Sequence, residues 1–202
     1  IPSMSFFRYC SELLEIYRDE QRVFMISGIN LLSPWKAEES SYTFAYLGGI
    51  PAWATWKRAW DKFDYLLKEW ETLNSKVRIK RMLLHNGIYN HFAKQFDYYA
   101  SVKRDDVWDY QWLFSRWNHG GCSIVPSVNL IKNIGFGPDA THTVSDDHPQ
   151  AGISAGELKF PLKHRSFEID RNYDRLIFSC FIKEPSVGII NKTIKLIRKF
   201  FN

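Results

Sequence analysis

The sequence predicts an α/β fold, and three observations lead to this class. Apolar residues near the start of the chain recur at helical spacing. Two short apolar runs, at 22–27 and 42–47, have the composition of strands, and another such run follows at 122–125. Between these runs, residues 53–118 carry a long helical pattern. Helices interleaved with short strands are typical of α/β domains.

The individual elements follow from local patterns. Phe6, Cys10, Leu13 and Tyr17 share one face of the first predicted helix, and Gly28 closes the first strand. After a break at Gly48 and Gly49, the pattern predicts further elements: helices over 53–67, 76–85, 89–100 and 105–117, strands over 122–125 and 128–134, irregular structure over 144–165, and a last helix from about residue 186.

The composition excludes several classes of protein. With 45% apolar and 24% charged residues, the 202-residue chain resembles a folded domain and not a disordered one. The net charge of +5 suits an anionic ligand, such as a nucleotide diphosphate, or an anionic membrane face. Cys10, Cys122 and Cys180 form no zinc or disulfide pattern, which favours a reducing compartment. No run reaches the ~18–20 apolar residues of a membrane span, and no nucleic-acid motif occurs.

The block at residues 108–112, Trp-Asp-Tyr-Gln-Trp, has the clearest chemical potential. Asp109 is expected in the first turn of a helix, where the positive end of the helix dipole favours the ionised carboxylate. A carboxylate between aromatic rings beside an open cleft is well placed to act as a general base. The competing interpretation is an acidic helix start whose tryptophans pack inward, and spacing alone favours that interpretation.

A second block places Trp53, Trp56 and Trp60 at i, i+3 and i+7, on one face of a predicted helix, with Lys57 and Arg58 beside them. Such a face is more often part of a core. The alternative is an aromatic wall for a sugar, with a cation directed at phosphate.

The third block is a glycine-rich loop at residues 135–142. Its glycines permit close approach to a ligand, and Asp139 and His142 could each supply one metal or phosphate contact. An ordinary glycine turn with a surface histidine is the simpler interpretation. The acidic pairs at 105–106 and 146–147 are candidate metal carboxylates, although capping and solvated loop charge explain them better.

The last predicted helix, 186–202, has an apolar face and a basic face. A basic amphipathic helix can lie on an anionic membrane, or it can dock on the domain and leave its lysines in water. The second arrangement is slightly favoured by the width of the apolar face, which contains Val187, Ile190, Ile194, Ile197 and Phe201, extended by Ile189, Leu196 and Phe200.

In their order along the chain and their residue sequences, the three blocks resemble parts of bacterial nucleotide-diphospho-sugar transferases of the GT-A fold. The resemblance covers residues 1 to about 145, and its matching stretches are 6–10, 22–30, 53–60, 108–112 and 129–143. It implies the C-terminal, acceptor-side part of a GT-A-like (Rossmann-related) mixed-sheet domain, incomplete at its N-terminus. Residues 1–145 would form that part, and 146–202 an irregular tail that ends in the basic helix.

The resemblance also implies roles for individual residues. Asp109 would deprotonate the acceptor hydroxyl in an inverting enzyme, and His142, with Asp139 nearby, would contact the metal or the donor diphosphate. The expected acceptor-binding residues are Trp53, Trp56 and Trp112 as walls, with Ser27 and Asn30 beneath them.

Enzymes of this kind hold Mn²⁺ or Mg²⁺ with an Asp-x-Asp or Glu-Asp-Asp motif in their nucleotide-binding half. Neither motif occurs in this sequence, so we expect it upstream of Ile1 in a longer protein. The expected function is transfer of a sugar from a nucleotide-diphosphate donor to a saccharide or lipid-linked acceptor in polysaccharide synthesis, at the cytoplasmic face of the membrane. The alternatives are a non-catalytic carbohydrate-binding protein without the donor site and a membrane-surface module that uses residues 186–202.

Overall fold

The computed structural model describes residues 1–102, 107–134 and 153–183, and within them it shows a mixed α/β fold. In chain order the elements are α1 (Met4–Ile16), β1 (Val23–Ser27), β2 (Tyr42–Ala45), β3 (Trp53–Thr55), α2 (Lys57–Trp60), a 3₁₀ turn (Lys68–Glu71), α3 (Leu73–Leu83), α4 (Asn86–Val102), α5 (Asp109–Asn118), β4 (Cys122–Pro126), α6 (Arg171–Ile177) and a π turn (Phe178–Ile182).

The four strands form one sheet in the order β2-β4-β1-β3. The central pair, β1 and β4, is parallel, whereas β2 and β3 pair antiparallel with their neighbours at the two edges. Every residue of β1 and β4 is buried, so these strands are covered on both faces. This burial explains why their sequences are nearly continuous apolar runs instead of alternating patterns. The predicted α/β class is therefore confirmed.

The helical prediction for the Trp53 block is wrong over its first half. Residues Trp53–Thr55 form an edge strand, with Trp53 paired with Ser27 and Thr55 paired with Met25 of β1. The α2 helix begins only at Lys57 and has a single turn. Tryptophans at i, i+3 and i+7 fit a helix, but hydrogen bonding to β1 decides the backbone of this segment.

Arg58 has a structural role that its sequence position did not reveal. Its guanidinium donates hydrogen bonds to the backbone carbonyl oxygens of Tyr17, Arg18 and Val23, at 2.9, 2.7 and 3.0 Å respectively. These bonds tie the C-terminal end of α1 and the start of β1 to α2. The donors of Arg58 are thus used within the fold, and the neighbouring Lys57 pairs with Asp61 at the surface. A phosphate contact by either cation stays a prediction.

Two further predictions need correction. The run 128–134 forms no strand, because only Ile131 makes a bridge, to Pro2. Residues 153–183 are not merely an irregular tail: α6 packs into the domain, where Tyr173 is buried and donates to Asn30.

In the described part of the chain, no helix has the length and apolar character needed to cross a membrane.

Candidate functional site

A cavity of about 250 Å³ opens beside the C-terminal end of β1. Its walls come from the chain after β1, the loop at 47–50, one face of α5, and α6 with its π turn. The volume lies just below the ~300–1,000 Å³ of typical ligand pockets, so the cavity has room for one small group and not for an oligosaccharide. Most lining side chains are apolar, and the polar ones are Asp109, Tyr110, Arg116 and Tyr173.

Asp109 lies in the first turn of α5, as the sequence predicted. The helix begins directly after Trp108, which supplies no side-chain cap, and Asp109 is the acidic residue of the first turn, where the backbone N–H groups are unpaired. Asp109 is half-buried and lines the cavity. Its position is therefore confirmed, and its role as a base stays a prediction.

An aromatic surface formed by Trp53, Trp60 and Trp108 adjoins Asp109. The ring of Trp53 stacks on that of Trp108, with centroids 5.6 Å apart, and lies 5.9 Å from that of Trp60. Trp60 and Trp108 are 40% and 38% exposed, so their rings remain accessible to a ligand. Of the three predicted wall residues, Trp53 belongs to this aromatic surface, and its role as an acceptor wall stays a prediction.

Trp56 and Trp112 belong instead to the core. Trp112 is fully buried beneath the aromatic surface, with its ring 5.8 Å from that of Trp53. Trp56 donates a hydrogen bond from Nε1 to the carbonyl of Leu14, and the guanidinium of Arg58 covers its ring. A sugar at the described surface would reach neither ring. The sequence also allowed this core packing, and tertiary contacts decide in its favour.

Ser27 and Asn30 are both fully buried, so they hold the backbone around the site in place and are not exposed at its surface. The hydroxyl of Ser27 donates to the carbonyl of Gly49 at 2.7 Å, which holds the loop at 47–50 against β1. Asn30 donates to the carbonyls of Pro126 and Ser127 and thereby links the ends of β1 and β4. Their predicted position beneath the site is consistent with these bonds, but direct contact with an acceptor is not.

Asp139 and His142, the predicted metal or diphosphate contacts, lie outside the described residues, as do the acidic pairs at 105–106 and 146–147 and the segment 186–202. Within residues 1–102, 107–134 and 153–183, no group of three or more His, Cys, Asp or Glu side chains is arranged to hold a metal ion. The described part of the chain therefore gives no fit for Mn²⁺ or Mg²⁺, and the cofactor stays a prediction.

Sequence reasoning missed two buried charges, Arg116 and Asp174. Arg116 lines the cavity at 1% exposure, and burial lowers its pKa to about 10. Asp174 is 5% exposed and accepts hydrogen bonds from the backbone N–H groups of Leu47 and Tyr46, yet burial raises its pKa to about 6. One signal was available: Arg116 lies at i+7 from Asp109 and so shares its helix face.

Comparison of the chain with protein-family models found no match, and comparisons with curated proteins and with solved structures found none either. The fold and the site define a mixed α/β protein with a small, largely apolar cavity and an exposed aromatic surface whose Trp108 directly precedes Asp109 of the cavity. Any functional assignment therefore depends on the chemistry of this site.

Proposed function

We propose that this chain forms the acceptor-binding part of a nucleotide-sugar-dependent glycosyltransferase with a GT-A-like fold, working at the cytoplasmic face of the membrane. One observation supports the proposal above all others. A half-buried carboxylate, Asp109, lines the cavity at the start of α5 and directly follows Trp108 of the exposed aromatic surface.

The aromatic surface is suited to holding a saccharide. One face of a pyranose ring presents mainly C–H groups, which pack on flat aromatic rings, while the hydroxyl groups at the ring edge stay free for hydrogen bonds. Trp53 and Trp108 offer such a platform, and Asp109 offers an acceptor for a hydroxyl proton beside it. Binding and deprotonation would thus occur at neighbouring positions.

The reaction follows from this arrangement. Asp109 removes the proton from an acceptor hydroxyl while that oxygen attacks the anomeric carbon of the donor sugar. The bond between the anomeric carbon and the diphosphate oxygen breaks, the nucleoside diphosphate leaves with the electron pair, and a glycosidic bond forms.

Saccharide binding is the first test. We expect the chain to bind a subset of glycans on an array, and we expect Trp108→Ala to weaken the binding of a confirmed ligand by about 5-fold, since a stacked aromatic contact contributes ~1 kcal/mol. Phe7→Ala is the matched control, because Phe7 is also an exposed ring but lies on α1. Failure to bind any saccharide, or equal binding by the Trp108→Ala variant, would contradict the proposal.

Transfer is the second test, in protein that also carries the donor-binding residues. Asp109→Asn should leave acceptor affinity within ~3-fold but lower turnover of uridine- or guanosine-diphospho-sugars by about 10²–10⁴, the usual contribution of a general base. Transfer at the unchanged rate would exclude Asp109 as the base. Binding without transfer in any form of the protein would favour the non-catalytic carbohydrate-binding alternative.

A further inference from the structure

The deep part of the cavity contains a cation whose hydrogen-bonding capacity is not satisfied. Arg116 is completely enclosed, and its Nη1 donates to the hydroxyl of Ser123 on β4. Its Nε, however, has no hydrogen-bond partner among the described residues. A guanidinium carries five N–H donors, and burying it without acceptors is strongly unfavourable. An acceptor supplied by a ligand would remove this cost.

The described residues supply no full counter-ion to Arg116. In the part of the chain that the structure describes, no carboxylate forms an ion pair with Arg116. Asp174 is close enough to interact electrostatically with Arg116, but its two carboxylate oxygens accept the backbone N–H groups of Leu47 and Tyr46. The positive charge of Arg116 is therefore only partly compensated.

The rest of the cavity determines what kind of anion fits. Asp109, Leu113 and Arg116 lie on the same face of α5, and Asp109 and Arg116 are separated by about 10 Å along the helix axis at 1.5 Å per residue. Most of the other lining side chains are apolar, with Ile50 and Ile177 among them. The cavity thus combines a cation, a carboxylate toward the start of α5 and largely apolar walls.

We propose that this cavity binds an amphipathic anion, with a carboxylate or phosphate group at Arg116 and an aliphatic body against Leu113 and the apolar walls. This anion is a second ligand, distinct from the saccharide acceptor of the proposed function, and its binding does not rest on that function. A saccharide on the aromatic surface and an aliphatic acid in the cavity are compatible, because the rings of Trp53, Trp60 and Trp108 do not line the cavity.

The test compares three ligands of equal chain length that differ in their head group: octanoate, octyl phosphate and the uncharged octan-1-ol, titrated calorimetrically into the full chain. We expect octanoate or octyl phosphate to bind at least ~10-fold more tightly than octan-1-ol, because a charge-assisted hydrogen bond replaces a neutral one. The two anions distinguish a carboxylate ligand from a phosphate ligand. Equal affinities of all three ligands would overturn the inference.

Two variants locate the binding. Arg116→Met should abolish the preference for the anion while leaving octan-1-ol binding within ~3-fold, and Arg116→Lys, which keeps the charge, should retain part of that preference. Leu113→Trp fills the cavity from its half-buried wall position and should block all three ligands. Anion binding that persists unchanged in Leu113→Trp would place the ligand elsewhere and refute the proposal.

A spectroscopic measurement tests the proposal on the unmodified protein. The Nε–H group of Arg116 has no partner among the residues that the structure describes, so its ¹H–¹⁵N resonance should shift when octanoate binds and stay in place with octan-1-ol. An unshifted resonance at saturating octanoate would contradict the proposal. If the protein binds saccharides but shows no preference for the anions over octan-1-ol, this inference fails and the proposed function stands. If the protein prefers the anions but binds no saccharide, the proposed function fails and this inference stands.

Discussion

The buried carboxylate of Asp174 makes the stability of the fold depend on pH in an unusual direction. Burial raises its pKa from the ordinary value of 3.8 to about 6, although two backbone N–H bonds, at 2.8 and 3.2 Å, oppose the shift. Because the folded state binds this proton more tightly than the unfolded state, the group is most favourable below about pH 4. Its contribution is lost as the pH rises through 6. A shift of about two pKa units corresponds to ~3 kcal/mol.

Asp174→Asn tests this reasoning directly. The amide oxygen of asparagine can accept the same backbone N–H groups without carrying a charge, so the variant escapes the cost of ionisation at neutral pH. We expect the free energy of unfolding of the variant, relative to the unmodified protein, to rise by up to ~3 kcal/mol between pH 4.0 and pH 7.5. Weakened interaction with Arg116 would reduce this gain but not reverse its direction.

The assay is urea unfolding followed by tryptophan fluorescence at four pH values between 4.0 and 7.5, with linear extrapolation to water. Asp61→Asn, at an exposed position, controls for the loss of one negative charge. A stability difference for Asp174→Asn that stays constant across this range would refute the reasoning, since it would mean that the carboxylate titrates alike in both states.

Two further predictions concern residues whose roles the sequence left open. Arg58→Met should lower the free energy of unfolding by about 2 kcal/mol, because three hydrogen bonds to backbone carbonyls are lost. The control Lys57→Met should change the free energy of unfolding by less than ~0.5 kcal/mol, since Lys57 forms only an exposed ion pair. Equal effects of the two variants in urea unfolding would contradict the structural role of Arg58. Trp112→Leu should cost about 3 kcal/mol in the same assay, because Trp112 is a fully buried core ring, and a loss below 1 kcal/mol would show that the ring is not packed as described.

Much of the secondary structure was predictable from local pattern. The first helix, the helices at 73–83 and 86–102, and the strands at 23–27 and 122–126 all agree with the predicted segments to within a few residues. Their signals are strong because a buried helix face and a buried strand leave clear apolar patterns in the sequence. The position of Asp109 at the start of α5 was equally accessible, since an acidic residue favours the first turn of a helix.

The aromatic blocks were harder to interpret. The spacing of Trp53, Trp56 and Trp60 fits a helix, yet the first of them pairs with β1 as an edge strand. The spacing of tryptophans within this segment carries no information about β1, which is distant in sequence and offers backbone hydrogen-bonding groups to residues 53–55. The α6 helix was missed for a related reason: Tyr173 and Asp174 are stabilised by bonds to Asn30 and to the chain after β2.

By itself, the sequence determined the α/β class, most of the helices and central strands, and the place of Asp109 in the first turn of α5. Only the tertiary structure decided that Trp112 is core while Trp108 is surface, that Arg58 binds backbone carbonyls, and that Arg116 is enclosed beside a cavity. The physical reason is that periodicity tells which side chains share a face, whereas exposure and partners depend on what the rest of the chain packs against that face.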